Sequence, residues 1–475
     1  MSINPPTTSE ARSIIERSAR DPAWFFREIL GNKPWLKQVE IMEAVRDYKE
    51  VAIRSCHGIG KDWVAARIVL WFLYSHAPAL VITTGPTDRQ VKGILWREIA
   101  HAHARAKFPL GGQLLTQEIR LSPDRWAIGF TAGDDPDRFQ GFHCKNVLVV
   151  IDEASGVNKS TYTAVEAILS SENAHKLEIG NPTDPISEFS TSFKTPGIHK
   201  MTVDAFETPN LTEFGIIEED IKNDTWEPKI TGPLPMPELI TPEWVSKRYK
   251  RWHPTNPLYV SRVRAQFPDA SEDTLIPLKY IEAAQERTLE PGEPNILGVD
   301  VARFGSDYTV IMHRRGPVLR TRMRLAKSST METAGYVQRE LKATKARNSF
   351  VDVVGLGAGV VDKLKEEGCR VIEANAGSSP LDKEMFANAR AEWFWRLREA
   401  FESGAIDISP DDEDLSSQLA AIKWKPDSKG RVTIESKEDM RRRGVSSPDD
   451  ADAASMTFSD QNKAVDSYKQ AMNRL

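Results

Sequence analysis

Two sets of residues in this 475-residue chain have the types and spacing needed for phosphate chemistry. The first set begins with the segment Ser55–Asp62, which reads SCHGIGKD and follows a short apolar run. Glycines let backbone N–H groups face phosphate oxygens, and a lysine at this place can reach the terminal phosphates of a nucleoside triphosphate. The segment therefore predicts a phosphate-binding loop before a helix, with contacts from Ser55, Gly58, Gly60, Lys61 and Asp62.

The same set continues with an acidic pair at the end of an apolar run. Five apolar residues, 147–151, lead directly into Asp152 and Glu153. An aspartate at a strand end can bind Mg²⁺, and an adjacent glutamate can activate the attacking water. With the loop upstream, the pair predicts ATP hydrolysis, with Asp152 at the metal and Glu153 as the catalytic base. A buried strand that ends in surface acids is the alternative.

Two polar residues could complete the nucleotide site. Gln38 lies upstream of the loop in the run PWLKQ, where its amide could contact an adenine edge. Asn181 follows the next predicted strand in the run IGNPT, where it could sense the γ-phosphate. Taken alone, Gln38 could be a helix-surface residue and Asn181 part of an ordinary turn.

The second set of residues consists of aspartates in the C-terminal half of the chain. Asp300 and Asp352 each follow a short apolar run, and Asp449 begins a predicted helix in the run SPDDAD. Carboxylates bind Mg²⁺ or Mn²⁺, and a pair of ions stabilises the attacking and leaving oxygens of phosphodiester cleavage. We therefore predict a two-metal nuclease site of Asp300, Asp352 and Asp449, with Asp450 and Asp452 as alternatives to the third acid. Asp449 could instead be only a helix cap.

The elements that must position these residues follow from the apolar pattern. Between about residues 51 and 185, short apolar runs alternate with helical patterns, which is typical of a parallel sheet covered by helices. Prolines recur between about 205 and 285 and predict an irregular connector. A new series of strands is predicted after residue 291. We predict an α/β protein with an ATPase domain at 1–205, a linker or lid at 206–285 and a nuclease domain at 286–475.

Composition limits the classes of function. The net charge of −5 argues against a chain coated uniformly with nucleic acid, although the local cluster Arg441-Arg442-Arg443 could guide a DNA backbone near the third acid. The three cysteines lie far apart and favour a reducing compartment. The most apolar stretch is too short for a membrane span, and the N-terminus lacks a secretory pattern. A cytoplasmic protein that is neither secreted nor membrane-bound is therefore predicted.

Taken together, these motifs resemble those of the large subunit of tailed-phage terminases, the ATP-driven DNA-packaging motors that also carry a nuclease. The resemblance covers almost the whole chain and is most specific in the run 443–453, which reads RGVSSPDDADA. It implies an N-terminal P-loop ATPase of the additional-strand, catalytic-glutamate class with a RecA-like parallel sheet, followed by an RNase H-like nuclease. It also implies ATP and Mg²⁺ as cofactors, with double-stranded DNA, a terminase small subunit and a portal ring of the procapsid as partners. The expected setting is an oligomeric ring in the host cytoplasm.

The chain departs from the family pattern at two places. Asp62 stands where a hydroxyl residue usually contacts Mg²⁺, and Gln140 stands where the family often has an arginine finger. Arg138 and Arg54 are the remaining candidates for that arginine. Two other functions stay open at this point: an ATP-dependent DNA remodeller or helicase fused to a repair nuclease, and a defective prophage remnant that only binds or assembles.

Overall fold

The chain folds into two compact units, Met1–Ala270 and Ser271–Leu475. The computed structural model describes residues 8–131, 142–252, 254–268, 273–302, 308–354 and 356–459. The predicted bounds of 1–205, 206–285 and 286–475 stay a prediction. Arg138 lies outside the described residues.

The first unit is built on a sheet whose central strands are almost completely buried. Two of them, 79–85 and 146–152, are apolar over most of their length, whereas 173–180 also buries His175, Lys176 and Glu178. Helices on the faces of the sheet explain this burial. The strands of this unit are β1 (Glu50–Ser55), β2 (Ala79–Gly85), β3 (Gln113–Leu114), β4 (Glu118–Ser122), β5 (Arg125–Thr131), β6 (Asn146–Asp152), β7 (Asn173–Gly180) and β8 (His199–Val203).

Helices surround this sheet, and several begin at residues whose side chains cap them. Asn158, for example, accepts a hydrogen bond from the backbone N–H of Thr161 at the start of the helix over 159–168. Two π-helical segments, Phe25–Ile29 and Arg89–Trp96, accompany the α-helices. The α-helices are α1 (Thr8–Arg20), α2 (Pro22–Trp24), α3 (Leu36–Asp47), α4 (Lys61–Ser75), α5 (Arg97–Ala104), α6 (Lys159–Ile168), α7 (Glu188–Ser192), α8 (Pro209–Thr212), α9 (Glu218–Lys222), α10 (Pro242–Trp252) and α11 (Pro257–Arg262).

The strand order of this sheet is β3-β4-β5-β2-β6-β7-β1-β8. All neighbours from β5 to β8 are parallel, and β7 lies between the loop-bearing strand β1 and the acid-bearing strand β6. In P-loop ATPases of the additional-strand class, one strand lies between the strand that bears the loop and the strand that bears the acidic pair, and β7 takes this position here. The predicted parallel α/β sheet of the ATPase is therefore confirmed.

The proline-rich segment after β8 packs against the phosphate-binding loop. The backbone N–H of Ile240 donates to the carbonyl of Gly58 at 2.9 Å, and the N–H of His57 donates to the carbonyl of Arg262 at 2.8 Å. The described part of this segment, up to residue 268, thus belongs structurally to the first unit. Sequence patterns predicted an irregular connector with short helices here, and did not show that it covers the loop.

The second unit contains a mixed sheet, a short two-stranded sheet and helices on their faces. Its strands are β9 (Asn295–Asp300), β10 (Tyr308–Arg315), β11 (Val318–Ala326), β12 (Asn348–Asp352), β13 (Val371–Ala374), β14 (Asp407–Ile408), β15 (Trp424–Pro426) and β16 (Val432–Ile434). Its helices are α12 (Leu278–Glu286), α13 (Thr330–Thr344), α14 (Gly357–Glu366), α15 (Ala389–Glu402), α16 (Glu413–Ala421), α17 (Lys437–Arg442) and α18 (Asp449–Met456). None of the helices described in either unit combines the length and apolar character that a membrane span needs.

The main sheet of this unit has the order β13-β12-β9-β10-β11-β14. Strands β9, β10 and β11 form an antiparallel meander, whereas β12 and β13 run parallel to β9. This is the strand arrangement of RNase H-like nucleases, so the predicted fold of the C-terminal domain is confirmed. Because β9 and β12 are parallel neighbours, their carboxyl ends, Asp300 and Asp352, lie at the same edge of the sheet.

Candidate functional site

The predicted phosphate-binding loop connects β1 to α4 and depends on two glycines. Gly58 and Gly60 have φ values of +69° and +77°, a region that glycine adopts far more easily than other residues. A Cβ atom at Gly60 would also lie 2.9 Å from the amide nitrogen of Gln38. Lys61 begins α4, so the helix N-terminus and the lysine are available to the same anion.

Lys61 is paired with the predicted catalytic base. Its Nζ lies 2.8 Å from a carboxylate oxygen of Glu153. Burial opposes ionisation of Glu153, but the Lys61 charge outweighs it and holds the pKa of that carboxyl below its usual range. Glu153 itself has φ +46°, a strained conformation for a residue with a side chain. Gly180 lets the backbone of Glu153 and Ala154 pack closely against β7, because a Cβ atom at Gly180 would lie 2.9 Å from the backbone nitrogen of Ala154.

Asp152 and Asp62 form a pair of adjacent carboxylates beside this lysine. Burial raises the pKa of Asp152 well above its usual range, and the hydrogen-bonded neighbour Asp62 raises it further. Two carboxylates in contact cannot both ionise easily unless a cation lies between or beside them. The donor set therefore fits Mg²⁺, with Asp152 and Asp62 as the residues that would hold it.

Asn181 connects the loop to the acidic pair. Its side-chain amide donates to the carbonyl of Ser55 at 2.7 Å, and its backbone N–H donates to the Glu153 carboxylate. Asn181 therefore contacts both the start of the phosphate-binding loop and the predicted base. The Ser55 hydroxyl is fully buried and has no hydrogen-bond partner among the described residues.

Gln38 contacts the loop from the other side. Its amide oxygen accepts from the N–H of Trp35, and its amide nitrogen donates to the carbonyl of Ile59, each at 3.3 Å. The side chain is only 3% exposed. Gln38 thus ties the N-terminal segment to the loop, and its contact with an adenine edge stays a prediction.

His57 belongs to the loop but is not among the residues that the sequence predicts to bind nucleotide. Its ring stacks on Trp244 of α10 at a centroid distance of 5.9 Å. Burial, together with the Lys61 charge, lowers the pKa of His57 to about 4, so the ring is neutral at pH 7. Its position inside the SCHGIGKD run was the available signal. The remaining arginine candidate, Arg54, donates to the Thr202 hydroxyl at 2.9 Å, and its role in hydrolysis stays a prediction.

Replacing Asp62 tests the unusual carboxylate in the loop. Asp62→Thr removes one negative charge next to Asp152 and the nucleotide phosphates, and it restores the usual hydroxyl. Because such a repulsion amounts to roughly 1 kcal/mol in a solvated site, ATP affinity at low Mg²⁺ should be equal or a few-fold higher. Nucleotide titrations at low and high Mg²⁺ measure this, and Asp62→Asn separates charge from shape. A clear loss of affinity in Asp62→Thr would show that the carboxylate is required.

The second unit brings the predicted nuclease acids together around a lysine. Lys437 Nζ lies 3.3 Å from Asp300, 3.5 Å from Asp449 and 2.9 Å from Asp452. Helix α18 can approach Asp300 this closely because β9 carries Gly298. A Cβ at that position would lie 2.1 Å from the carbonyl oxygen of Ala453.

Negative charge is in excess at this cluster. Burial raises the pKa of Asp300 well above its usual range, and Lys437 only partly opposes this. The pKa of Asp352 is also raised, mainly by burial. In the described part of the chain, no group of three or more His, Cys, Asp or Glu side chains is arranged to hold a metal ion. The Lys437 ammonium pairs with Asp300 and Asp449. Buried carboxylates gathered around one cation fit divalent metal ions, which Asp300, Asp352 and Asp449 would hold.

The three neighbouring aspartates of α18 have different surroundings. Asp449 accepts from the backbone N–H of Tyr308 at 2.9 Å, and Asp452 accepts from Arg390 at 3.0 Å and pairs with Lys437. Burial raises the pKa of Asp450 to about 6, and its carboxylate accepts from Arg324 and Gln418 instead of from Lys437 in the described hydrogen bonds. The sequence favours Asp449 as the third acid of the nuclease site and leaves Asp450 and Asp452 as alternatives. Asp449 and Asp452 are three residues apart, and this spacing places both on one helix face. It was the signal in the sequence that both acids face the same site.

A cleft of about 340 Å³ opens beside Asp300, Asp352 and Asp452. Its polar wall includes Asp300, Asp352, Asp452, Lys437 and Arg390. Its apolar wall is formed by Val354, Ala376, Trp393, Ile434 and Met456. The cleft therefore gives solvent and an extended ligand access to the carboxylates that the strands and α18 bring together.

Comparison with known proteins identifies the family to which the chain is similar. No family model matches it. A curated relative, the probable terminase large subunit of Enterobacteria phage P7, is 24% identical over 449 residues, which cover 89% of this chain and 87% of the relative. The predicted resemblance to phage terminase large subunits is confirmed.

Solved structures of terminases also resemble this terminase-like chain, at low similarity. The large terminase of a thermophilic bacteriophage, solved in complex with ADP, is 12% identical, covers 89% of this chain and 98% of its own, and gives a TM-score of 0.39. A mutant nuclease domain of the large terminase subunit of bacterial virus Sf6, with manganese and β-thujaplicinol, is 19% identical. It covers 40% of this chain and 99% of its own at a TM-score of 0.36. The resemblance to terminase large subunits rests on the sequence match to the curated relative and on the order of the motifs.

Proposed function

We propose that this chain is the large subunit of a phage DNA-packaging terminase. It hydrolyses ATP to drive double-stranded DNA into a procapsid, and it cuts concatemeric DNA with a two-metal nuclease site. The observation that carries the proposal is the cluster of Asp300, Asp352 and Asp449 around Lys437. It lies in a chain whose other unit holds a phosphate-binding loop paired with a glutamate.

The contacts of the first unit support a sequence of roles in ATP hydrolysis. Lys61 and the N-terminus of α4 bind the terminal phosphates, which compete with Glu153 for the lysine. Glu153, released from that ion pair, accepts a proton from the attacking water. Asn181 contacts both Ser55 and Glu153, so it is placed to respond to the phosphate that the loop holds. Asp152 and Asp62 would hold Mg²⁺, which would supply charge neutralisation on the phosphates.

The contacts of the second unit support phosphodiester cleavage. Asp300 and Asp352 come from neighbouring strand ends, and Asp449 comes from the first turn of α18. When bound, Mg²⁺ or Mn²⁺ ions stabilise charge on the attacking and leaving oxygens. We assign the ligands as Asp300, Asp352 and Asp449, with Asp452 beside them.

The partners follow from the same proposal. The chain acts as one subunit of a homo-oligomeric ring on the portal of the procapsid, and a small subunit delivers the DNA. It packages and cuts DNA in the host cytoplasm during phage assembly. The ADP and manganese of the relatives named above correspond to the two cofactor classes that we assign here.

Two assays on purified full-length protein test the proposal. We expect release of phosphate from ATP in the presence of Mg²⁺, and cleavage of plasmid DNA with Mn²⁺ or Mg²⁺ that stops when the metal is chelated. Absence of DNA cleavage by a protein that hydrolyses ATP would contradict the nuclease assignment. Absence of ATP hydrolysis in the presence of DNA would contradict the motor assignment.

The basic cluster at the end of α17 contains residues with different surroundings. Arg443 is tied into the fold, because it pairs with Glu435 at 2.6 Å and donates to the carbonyl of Ala421 at 2.9 Å. Among the described residues, the ion pairs of Arg442 lie within its own helix, and its side chain is 69% exposed. The prediction that 441–443 guides DNA is therefore tested with Arg442 rather than with all three arginines.

Arg442→Ala is expected to weaken DNA binding equally for all sequences. Because one phosphate contact is lost, the slope of log affinity against log salt should fall by about one. Arg443→Ala should instead reduce the free energy of unfolding by about 1–2 kcal/mol, through its lost internal bonds. Salt-dependent DNA titrations and thermal unfolding measure the two effects. Arg12→Ala, which removes an exposed arginine from a similar pair with Glu16, is the charge-matched control.

A further inference from the structure

Helix α18 begins without a cap from its own residues. Pro448 precedes it and provides no side-chain hydrogen bond. The first backbone N–H groups of any helix lack partners within the helix. Here the amide oxygen of Gln418, from α16, accepts from the N–H of Asp450 at 2.8 Å and of Ala451 at 3.1 Å. Gln418 therefore caps a helix that lies 32 residues further along the chain.

The other end of the same amide holds the Asp450 side chain. Gln418 Nε2 donates to one Asp450 carboxylate oxygen at 2.9 Å, and Arg324 Nε donates to the other at 2.6 Å. Arg324 also pairs with Asp412, which caps the start of α16. The Asp450 carboxylate is thus held on both oxygens by Gln418 and Arg324, and neither has a described bond to Lys437.

These hydrogen bonds fix the rotation of α18 about its axis. Successive residues of an α-helix are separated by about 100°, so residues three apart share a face and adjacent residues do not. With Asp450 held by Gln418 and Arg324, Asp449 and Asp452 are turned toward Lys437, at 3.5 and 2.9 Å. Metal sites need their ligands held within about 0.5 Å, so a small rotation of α18 would move Asp449 out of range of a shared ion.

We propose that Gln418 is a positioning residue for the metal site, and that it acts by setting the rotation of α18. The proposal rests on the nuclease function proposed above. Gln418 contacts neither Asp300 nor Lys437 in its described hydrogen bonds, and its amide forms all of its described bonds with the first turn of α18. Partners of metal ligands commonly change metal affinity or activity by about 10–100-fold when they are removed.

Gln418→Met keeps the length and volume of the side chain but removes both hydrogen-bonding groups. In the full-length protein we expect Mn²⁺ binding, titrated calorimetrically with Mn²⁺ alone, to weaken about tenfold. The Mn²⁺ concentration for half-maximal DNA cleavage should rise by the same factor, while the rate at saturating Mn²⁺ recovers to within about twofold. Gln418→Glu retains an oxygen that accepts from the two N–H groups, but it replaces the donor to Asp450 with a second carboxylate. Because two carboxylates in contact repel, this variant should also bind Mn²⁺ more weakly than the wild type.

Gln285→Met is the matched control. Gln285 also bonds to α16, through the Ser416 hydroxyl at 3.0 Å, but it has no described hydrogen bond to α18. Its Mn²⁺ affinity should equal that of the wild type. Unchanged Mn²⁺ affinity in Gln418→Met, or an equal loss in both glutamine variants, would overturn the positioning role. If the wild type itself binds no Mn²⁺ and cuts no DNA, the proposed nuclease site fails, and the role of Gln418 fails with it.

Discussion

Glu153→Gln is expected to abolish ATP hydrolysis while ATP binding is retained. The substitution keeps the shape of the side chain and its contact with the Asn181 N–H, but an amide cannot accept the proton of the attacking water. A positioned general base contributes about 10²–10⁴-fold, so the turnover rate should fall by at least that lower factor. Loss of the ion pair to Lys61, which is 2.8 Å long, also frees the lysine for phosphate. ATP affinity should therefore be unchanged or higher.

Measurements of steady-state phosphate release and of equilibrium nucleotide binding separate the two effects. Glu50→Gln is the matched control, because Glu50 forms a lysine pair of the same 2.8 Å length with Lys176. That variant should hydrolyse ATP at the wild-type rate. Wild-type turnover in Glu153→Gln would remove Glu153 from the catalytic role and leave the Lys61 pair as a structural contact only.

Asp300→Asn is expected to stop DNA cleavage without stopping ATP hydrolysis. Asp300 ends β9, is 3% exposed and is placed next to Asp352, Asp449 and Lys437. An amide in place of this carboxylate removes one charged ligand from the proposed metal site. The loss of cleavage should exceed the roughly 10–100-fold effect of removing an outer partner of a ligand. DNA binding should be mostly retained, since phosphate contacts are made elsewhere.

Plasmid cleavage with Mn²⁺, ATP hydrolysis and DNA binding are measured on the same preparation. Asp407→Asn is a suitable control: Asp407 is 2% exposed and lies in the same sheet, but it pairs with Arg320. Both variants replace a buried carboxylate, so a change in melting temperature is expected in each, whereas only Asp300→Asn should lose cleavage. Full cleavage by a folded Asp300→Asn protein would contradict the two-metal site.

Local signals in the sequence were sufficient for the main features of both units. Continuous apolar runs predicted the buried parallel strands, because a strand covered on both faces has no polar side. The glycines of SCHGIGKD predicted the loop, because only glycine adopts its backbone easily and allows Gln38 so close. The strand-end positions of Asp152, Asp300 and Asp352 were likewise readable, because the end of an apolar run marks the edge of a sheet.

Contacts between distant segments were decided only by the tertiary structure. Lys437 joins Asp300 across 137 residues, and Gln418 caps α18 from another helix, so neither contact is visible in local spacing. The same applies to Arg443, whose charge is used inside the fold, and to the segment near Ile240 that covers the loop. The sequence by itself determined which residues are candidates for binding phosphate and metal, since that ability belongs to side-chain type and local backbone. Packing decided which of them meet, because the direction of each side chain depends on how its helix or strand is rotated against its neighbours.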